Sequence, residues 1–254
     1  DSMHGSAAGC LSDLLGCFKS GLVEEIRSKR DPLFGGNPPE PLEQNLGQLI
    51  QAVKASTKQG KPAIGLAFDG DGDRIAAVDE SGRFCSTQLL MPLFIDHLVR
   101  SRGINGCVVK TVSGSDLMRL VAEDLGRHVL ELPVGFKYIA AQMLERDVLV
   151  GGEESGGVGF GMHLPERDAL FAALIALEAI VEGGRPLGQL LQNLQQRFGG
   201  ASYYERLDLR LVDMASRKRL EAVLKKEPPM VVAGESVVEV TRIDGVKLRM
   251  GTSF

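Results

Sequence analysis

Three aspartates occupy alternate positions in the sequence GLAFDGDGDRIAAVD, which covers residues 65–79. They are Asp69, Asp71 and Asp73, with glycine between them and apolar residues on both sides. Carboxylates this close together repel one another, and burying even one unpaired charge is costly. Glycine permits backbone angles that are closed to other residues, so the three side chains can converge on one point. Oxygen ligands suit a hard divalent cation, and we therefore expect Mg²⁺ to bind this loop.

Two other interpretations of this loop are open. An EF-hand loop has acidic residues at its first, third, fifth and twelfth positions, which Asp69, Asp71, Asp73 and Glu80 match. Its sixth position requires glycine, however, and Arg74 stands there between flanks that have strand-like sequences. A plain hairpin with Asp-Gly turn residues would need only one such pair. Arg74 places a fixed cation beside the carboxylates, which favours the approach of a phosphate.

A second polar loop, GGEESGG at residues 151–157, follows the strand-like sequence DVLV. Glu153, Glu154 and Ser155 lie between two pairs of glycines, which predicts an exposed loop with a flexible backbone. α/β folds bind ligands at the carboxyl ends of their strands, where this loop would lie. Carboxylates and hydroxyls form hydrogen bonds with sugar hydroxyls, and a site built from them rejects sugars that lack those groups. A glycine-rich connection with solvated glutamates is the alternative interpretation.

Together these sequences resemble those of the α-D-phosphohexomutase superfamily, which includes phosphoglucomutases and phosphomannomutases. AFDGDGDR is similar to the family's metal-binding loop, and GEES is similar to its sugar-recognition loop. The resemblance implies that the three aspartates hold Mg²⁺ and that Arg74 assists catalysis beside them. The remaining ligand in the family is a phosphate on a catalytic serine of an N-terminal domain. The resemblance also implies that Glu153 and Ser155 bind adjacent hydroxyls of a sugar ring.

Two further sequences extend the resemblance. LPVGFKYI is similar to a loop of the third family domain that faces the sugar, which implies substrate-binding roles for Gly135 and Lys137. A solvated lysine at the start of a helix is the alternative interpretation of Lys137. HLPERD is similar to the segment after the sugar loop, where the family has a basic residue near the reacting groups. It implies catalytic roles for His163 and Arg167.

The resemblance implies reversible transfer of phosphate between C1 and C6 of a hexose. A phosphoserine donates to the free hydroxyl of a hexose phosphate, the resulting hexose bisphosphate turns over in the site, and the other phosphate returns to the serine. The GEESGG and HLPERD sequences favour glucose, and hence phosphoglucomutase. Phosphomannomutase and phosphoglucosamine mutase are alternatives within the family. A magnesium-dependent phosphatase and a non-catalytic sugar-phosphate-binding module are alternatives outside it.

Two signatures of the family are missing from the sequence. It contains no stretch similar to Thr-Ala-Ser-His-Asn, which would carry the catalytic serine, and no phosphate-binding Arg-x-Ser-Gly-Thr segment. We therefore expect the chain to be the central part of a longer polypeptide, separated here from its N-terminal and C-terminal domains. By itself it is expected to be inactive.

The elements that position these loops follow an α/β pattern, with mixed, largely parallel sheets. We expect two consecutive α/β domains, at residues 1–85 and 86–198, and the start of an α+β domain at 199–254. Expected helices cover residues 7–19, 46–58, 87–100, 115–125, 138–144, 169–181 and 214–226. Expected strands cover residues 62–68, 75–78, 107–112, 128–132, 147–150 and 203–211, and a hairpin at 237–250 turns at Asp244-Gly245.

Composition excludes several other classes of function. The net charge is −4, and the sequence has no long run of Lys or Arg, so neither nucleic acid nor an anionic membrane surface is an expected partner. The longest apolar run, at residues 169–177, is too short to span a bilayer. Four cysteines show no CxxC spacing, which argues against a zinc site and a disulfide framework and favours a cytoplasmic protein with reduced thiols.

Overall fold

The computed structural model describes residues 1–16, 22–61, 63–200, 203–207, 209, 211 and 213–251. Its α-helices are α1 (Cys10–Gly16), α2 (Gly47–Lys58), α3 (Thr87–Arg100), α4 (Asp116–Asp124), α5 (Phe136–Glu145), α6 (Ala169–Gly183), α7 (Leu187–Arg197) and α8 (Met214–Lys226). Its strands are β1 (Gly65–Phe68), β2 (Ile75–Val78), β3 (Phe84–Cys85), β4 (Cys107–Thr111), β5 (Val129–Leu132), β6 (Val148–Gly152), β7 (Val158–Phe160), β8 (Val231–Val232), β9 (Glu235–Thr241) and β10 (Lys247–Met250). The predicted α/β class is confirmed.

The first sheet carries the aspartates between two of its strands. β1 and β2 are antiparallel, with Gly65 opposite Val78 and Phe68 opposite Ile75, and β2 is antiparallel to β3. Both β1 and β2 are buried along their whole length, as their uninterrupted apolar sequences predict. The register places residues 69–74, hereafter the aspartate loop, at one end of this sheet. The parallel pairing predicted for the fold lies in the second sheet.

The second sheet has the strand order β5-β4-β6-β7. β4 is parallel to both β5 and β6, whereas β7 returns antiparallel to β6. β6 is buried at every residue, which agrees with the continuous apolar runs of parallel strands covered on both faces. Residues 151–157, hereafter the glutamate loop, extend from the end of β6 towards β7. This loop therefore lies at a carboxyl end of the parallel strands, as predicted.

One apolar core holds the two sheets together. α3 and α6 each contact strands of both sheets. The core contains Phe68 and Ile75 from the first sheet, Phe160 from the second, and Phe94 and Ala172 from the two helices. α6 is apolar over most of its surface, which is typical of a helix that is buried on several sides. The shared core fixes the relative positions of the aspartate and glutamate loops.

The C-terminal part combines α8 with a small antiparallel sheet of order β10-β9-β8, which confirms the α+β character expected there. β9 and β10 form the predicted hairpin, with Thr241 opposite Lys247 and Asp244-Gly245 in the turn between them. The register shifts near the end of β10, between Arg249 and Met250. This hairpin contacts the second sheet through polar side chains, as described below.

Several elements differ from the sequence-based expectations. The first helix begins at Cys10 rather than residue 7, and its expected end at 17–19 lies outside the described residues, as does Pro62. The described residues of the expected strand at 203–211 are neither helix nor strand. The sequence patterns did not predict β7 or α7. β7 has only three residues, whereas the leucines of α7, at positions 187, 190, 191 and 194, do have helical spacing, and the prediction missed this signal.

Two further predictions concern the cysteines and the membrane. Cys10, Cys85 and Cys107 are free thiols, and Cys17 lies outside the described residues. Burial, the largest cause, raises the pKa of the Cys85 thiol to about 12, so this group is a packed apolar side chain rather than a reactive thiolate. Within the described ranges, no helix has the length and apolar character needed to cross a bilayer.

The aromatic packing around Phe160 generates a stability prediction. Its fully buried ring packs against Phe94 and Phe171, with centroid distances of 5.7 and 5.2 Å. We expect Phe160→Ala to reduce the free energy of unfolding by about 3–5 kcal/mol, measured by urea denaturation. Val181→Ala is the control, because Val181 is 78% exposed on α6 and should change stability by less than about 0.5 kcal/mol. Similar losses in both variants would contradict this account of the core.

Candidate functional site

The aspartate loop is organised around the buried carboxylate of Asp69. Its Oδ1 accepts hydrogen bonds from the backbone amides of Gly72, Asp73 and Arg74, each at 3.0 Å. Its Oδ2 accepts from Arg74 Nε at 2.5 Å. Gly72 has a φ of 81°, which lets the loop turn back so that these amides face the carboxylate. The buried charge is thereby both neutralised and hydrogen-bonded, as a buried carboxylate requires.

The three aspartates converge as the sequence predicts. Asp69, Asp71 and Asp73 each offer an oxygen, and these atoms lie within 4.8 Å of one another. Asp69 is buried, Asp73 is half-buried and Asp71 is exposed, so the cluster opens to solvent on one side. Burial, followed by the charge of Asp69, raises the pKa of Asp73 to about 6. Clustered carboxylates with one open side fit a hard divalent cation such as Mg²⁺.

A second arginine reaches this cluster from the other side of the site. Arg167 Nη2 lies 2.6 Å from Asp73 Oδ2, so the structure brings these two predicted residues together. The Arg167 guanidinium also lies over the Phe136 ring, 5.6 Å from its centroid. A Cβ atom at Gly157 would lie 2.5 Å from Arg167 Cδ, so only glycine leaves room for the arginine to pass. Two guanidiniums therefore face the three carboxylates.

Backbone hydrogen bonds tie the aspartate loop directly to the glutamate loop. Arg74 and Gly157 form an isolated antiparallel bridge, and the Ile75 amide donates to the Gly156 carbonyl at 3.0 Å. Gly156 has a φ of 112°, a conformation that favours glycine. The four glycines of the loop are buried, so the expectation that the loop is exposed is wrong. These residues allow close packing against neighbouring strands and helices.

Glu153 is held in place at the centre of the glutamate loop. It is buried, and its Oε1 accepts a hydrogen bond from the Gly135 amide at 3.0 Å. Its own amide donates to the Gly157 carbonyl, and its carbonyl accepts from Thr87 Oγ1, both at 2.9 Å. Burial raises the pKa of the Glu153 carboxyl above its ordinary value. The structure thus brings together Glu153 and Gly135, both predicted substrate-binding residues.

Glu154 and Ser155 differ in whether their side chains are free to bind a ligand. The Glu154 carboxylate accepts a hydrogen bond from the Ser113 hydroxyl, and its carbonyl accepts from Thr87. Ser155 is half-buried, and its hydroxyl has no hydrogen-bond partner among the residues that the structure describes. The predicted preference for Ser155 over Glu154 as a sugar ligand is consistent with this difference. Thr87 is a supporting residue that sequence reasoning missed, because nothing in its local sequence marks it.

The remaining two predicted residues lie apart from this cluster. Lys137 is exposed, and its ammonium lies 4.9 Å from the centroid of the Tyr138 ring. His163 Nε2 lies 2.9 Å from Asp168 Oδ2, and its ring stacks on Phe171 at 4.4 Å. Among the described residues, the contacts found for these two side chains do not include the aspartate or glutamate loops. Their functional roles therefore stay predictions.

The fold and the site define an α/β protein in which a loop with three clustered aspartates is hydrogen-bonded to a loop that carries two glutamates and a serine. Residues 1–82 match the family model for phosphoglucomutase/phosphomannomutase, alpha/beta/alpha domain II. Residues 87–198 match the model for alpha/beta/alpha domain III of the same family. The chain belongs to the α-D-phosphohexomutase superfamily.

Individual relatives are similar over most of this chain. A phosphoglucosamine mutase of Pseudomonas putida is 35% identical over 182 residues, which are 68% of this chain and 41% of the relative. A phosphoglucomutase/phosphomannomutase of Thermococcus kodakarensis is 31% identical over 201 residues, 78% of this chain and 42% of the relative. The structure of a Thermus thermophilus protein described as a phosphomannomutase gives a TM-score of 0.82 at 34% identity, covering 98% of this chain and 52% of that protein. The chain thus spans about half the length of its relatives, or less.

The exposed position of Asp71 generates the first prediction for the cation site. We expect Asp71→Asn to weaken binding of Mn²⁺, used as a probe for Mg²⁺, by at least about tenfold, because one charged ligand is lost. Isothermal titration calorimetry measures the affinity, and Mg²⁺ should raise the thermal midpoint of the parent chain more than that of the variant. Asp147→Asn, at an exposed position before β6, is the control. Equal affinities in parent and variant would exclude Asp71 as a ligand.

The ion pair between Arg167 and Asp73 generates a second prediction. The guanidinium occupies Asp73 Oδ2, so it competes with any cation that needs this oxygen. We expect Arg167→Met to tighten Mn²⁺ binding by roughly tenfold, in line with the loss of a charge-assisted hydrogen bond. Arg217→Met, on the exposed face of α8, is the control. Weaker binding in Arg167→Met would show instead that the arginine orients Asp73 for the cation.

Proposed function

We propose that this chain is the cation- and sugar-binding part of a phosphohexomutase and that its preferred substrate is a glucose phosphate. The observation that carries the proposal is the backbone bridge between Arg74 and Gly157. It supports a cation site and a sugar site side by side. A hexose phosphate between them would present its phosphate to the aspartate loop and its ring hydroxyls to the glutamate loop.

The residues of the aspartate loop are proposed to bind and stabilise the phosphoryl group that is transferred. Asp69, Asp71 and Asp73 would hold Mg²⁺, which supplies electrostatic stabilisation of a phosphoryl group during transfer. Arg74 is fixed on Asp69 and keeps a positive charge beside the phosphate. Arg167, which lies between the two loops, is the second cation available to a phosphate oxygen.

The glutamate loop accounts for recognition of the sugar. Glu153 Oε1 is engaged by the Gly135 amide, so Oε2 is the acceptor for a sugar hydroxyl. Ser155 supplies a second polar group. Contacts to O3 and O4 suit the chemistry, because the hexose bisphosphate must bind with either phosphate next to the aspartate loop. The predicted roles of Lys137 and His163 would require their exposed side chains to reach the bound substrate.

The nucleophile is proposed to belong to a separate domain of the same polypeptide. The sequence has no segment similar to Thr-Ala-Ser-His-Asn, and we expect this chain to bind hexose phosphates without turning them over. The names of the relatives favour glucosamine phosphate as strongly as glucose or mannose phosphate. A sugar-phosphate-binding module that uses the same two loops without turnover is the second candidate function. The proposed location is the cytoplasm.

An activity comparison tests the proposal. The full-length natural polypeptide and this chain are each supplied with glucose 1-phosphate, Mg²⁺ and trace glucose 1,6-bisphosphate, and formation of glucose 6-phosphate is measured. We expect turnover by the full polypeptide, none by this chain, and loss of turnover with EDTA. Turnover by this chain alone would place a nucleophile within these residues and overturn the mechanism. If neither is active, the same assay with mannose and glucosamine phosphates separates a different substrate from a binding module.

A further inference from the structure

We propose that Asp244, in the turn between β9 and β10, is a positioning residue for the sugar-binding carboxylate Glu153. The expected effect of Asp244 on ligand binding rests on the proposed function. The Asp244 Oδ2 atom accepts a hydrogen bond from the Val134 amide at 3.0 Å. The next amide along the chain, that of Gly135, donates to Glu153 Oε1 at 3.0 Å. Two successive amides therefore donate to carboxylates from two different parts of the chain.

The covalent geometry of the backbone couples these two hydrogen bonds. Peptide units are planar, so only the φ and ψ angles of Val134 separate the two amide groups. A shift of the Val134 amide therefore changes the position or direction of the Gly135 amide. Because Glu153 is buried, losing that donor would leave one carboxylate oxygen poorly satisfied or redirect the side chain. A displacement of the hairpin turn would thus change the hydrogen bond to Glu153 through the backbone of a single residue, Val134.

A second set of contacts fixes the hairpin on the same sheet. Lys247 Nζ, on β10, lies 2.9 Å from Glu131 Oε2 and 3.4 Å from Asp116 Oδ1. Arg249 Nε, also on β10, lies 3.0 Å from Asp116 Oδ2. The two acids also surround the fully buried Lys110, whose Nζ lies 2.7 Å from Glu131. The hairpin thus adds two cations to a cluster in which Lys110 and Arg119 already lie beside the two acids.

The two anchors of the hairpin are β5 and the loop that follows it. β5 contains Glu131, which pairs with Lys247, and the chain then leads directly into the loop with Val134 and Gly135. The start of β10, next to the turn, is therefore fixed to β5 by charge, and the turn itself contacts the loop that follows β5. This arrangement gives the turn a defined position against Val134. Movement of the C-terminal hairpin would accordingly loosen the loop beside the sugar site.

Amide hydrogen exchange and ligand binding on this chain test the proposal. We expect Asp244→Ala to accelerate exchange of both the Val134 and the Gly135 amides by at least about tenfold. It should also weaken binding of glucose 1,6-bisphosphate about three- to tenfold, measured by calorimetry. Asp244→Asn keeps a side-chain carbonyl that can accept from Val134, so it should restore much of the protection. Ile243→Ala, in the same turn, is the control and should behave like the parent.

Faster exchange at Val134 with unchanged exchange at Gly135 would overturn the coupling. Faster exchange at both amides with unchanged ligand affinity would overturn the positioning role. A merely structural role would lower the thermal midpoint in Asp244→Asn and Asp244→Ala alike, without rescue of the two amides. If the parent chain does not bind the bisphosphate, the proposed function fails, while the exchange data still decide whether Asp244 holds the Gly135 amide.

Discussion

The requirement to bury the Asp69 carboxylate governs the rest of the site. A charge at this depth is tolerated only with several donors around it, and the loop supplies three amides and the Arg74 side chain. Those donors face inward because Gly72 allows the chain to reverse. The reversal sends β2 back alongside β1 in a fixed register. A substitution that removed the carboxylate would therefore disturb both the cation site and the sheet that carries it.

The two arginines at the carboxylate cluster have different structural roles. Arg74 is part of the loop that it neutralises, and its backbone also pairs with Gly157, so its position is fixed by the fold. Arg167 comes from a segment beyond the glutamate loop and reaches Asp73 through a space that glycine leaves open. Its guanidinium can therefore leave Asp73 without disturbing a strand or a turn. A divalent cation would displace Arg167 from Asp73, and a phosphate would displace Asp73 from Arg167. Binding of either one would therefore release the group that the other needs.

Local patterns in the sequence predicted much of the fold and the convergence of the aspartates. α3 and α8 begin and end at the expected residues, and the hairpin turns at Asp244-Gly245. Tertiary contacts decided the rest. The antiparallel pairing of the first sheet follows from a short reversal rather than a helical crossover. His163 is directed towards Asp168 and Phe171 by contacts that no spacing rule encodes. The ion pair between Arg167 and Asp73 joins residues that are distant in sequence, so local patterns could not reveal it.

The glycines of the glutamate loop have a different structural role from the one that their spacing predicted. Their spacing predicted backbone flexibility, yet a Cβ at Gly151 would lie 2.4 Å from Ile139, and one at Gly152 would lie 2.8 Å from Met91 Sδ. A Cβ at Gly157 would meet Arg167 Cδ and approach Glu153 Oε2 at 3.4 Å. Gly157 is thus the point at which Arg167 and the Glu153 carboxylate, proposed to bind the sugar, come close together. The absence of a side chain at Gly157 leaves the space in which the two loops pack together, and the close packing of the loop glycines holds Glu153 in position.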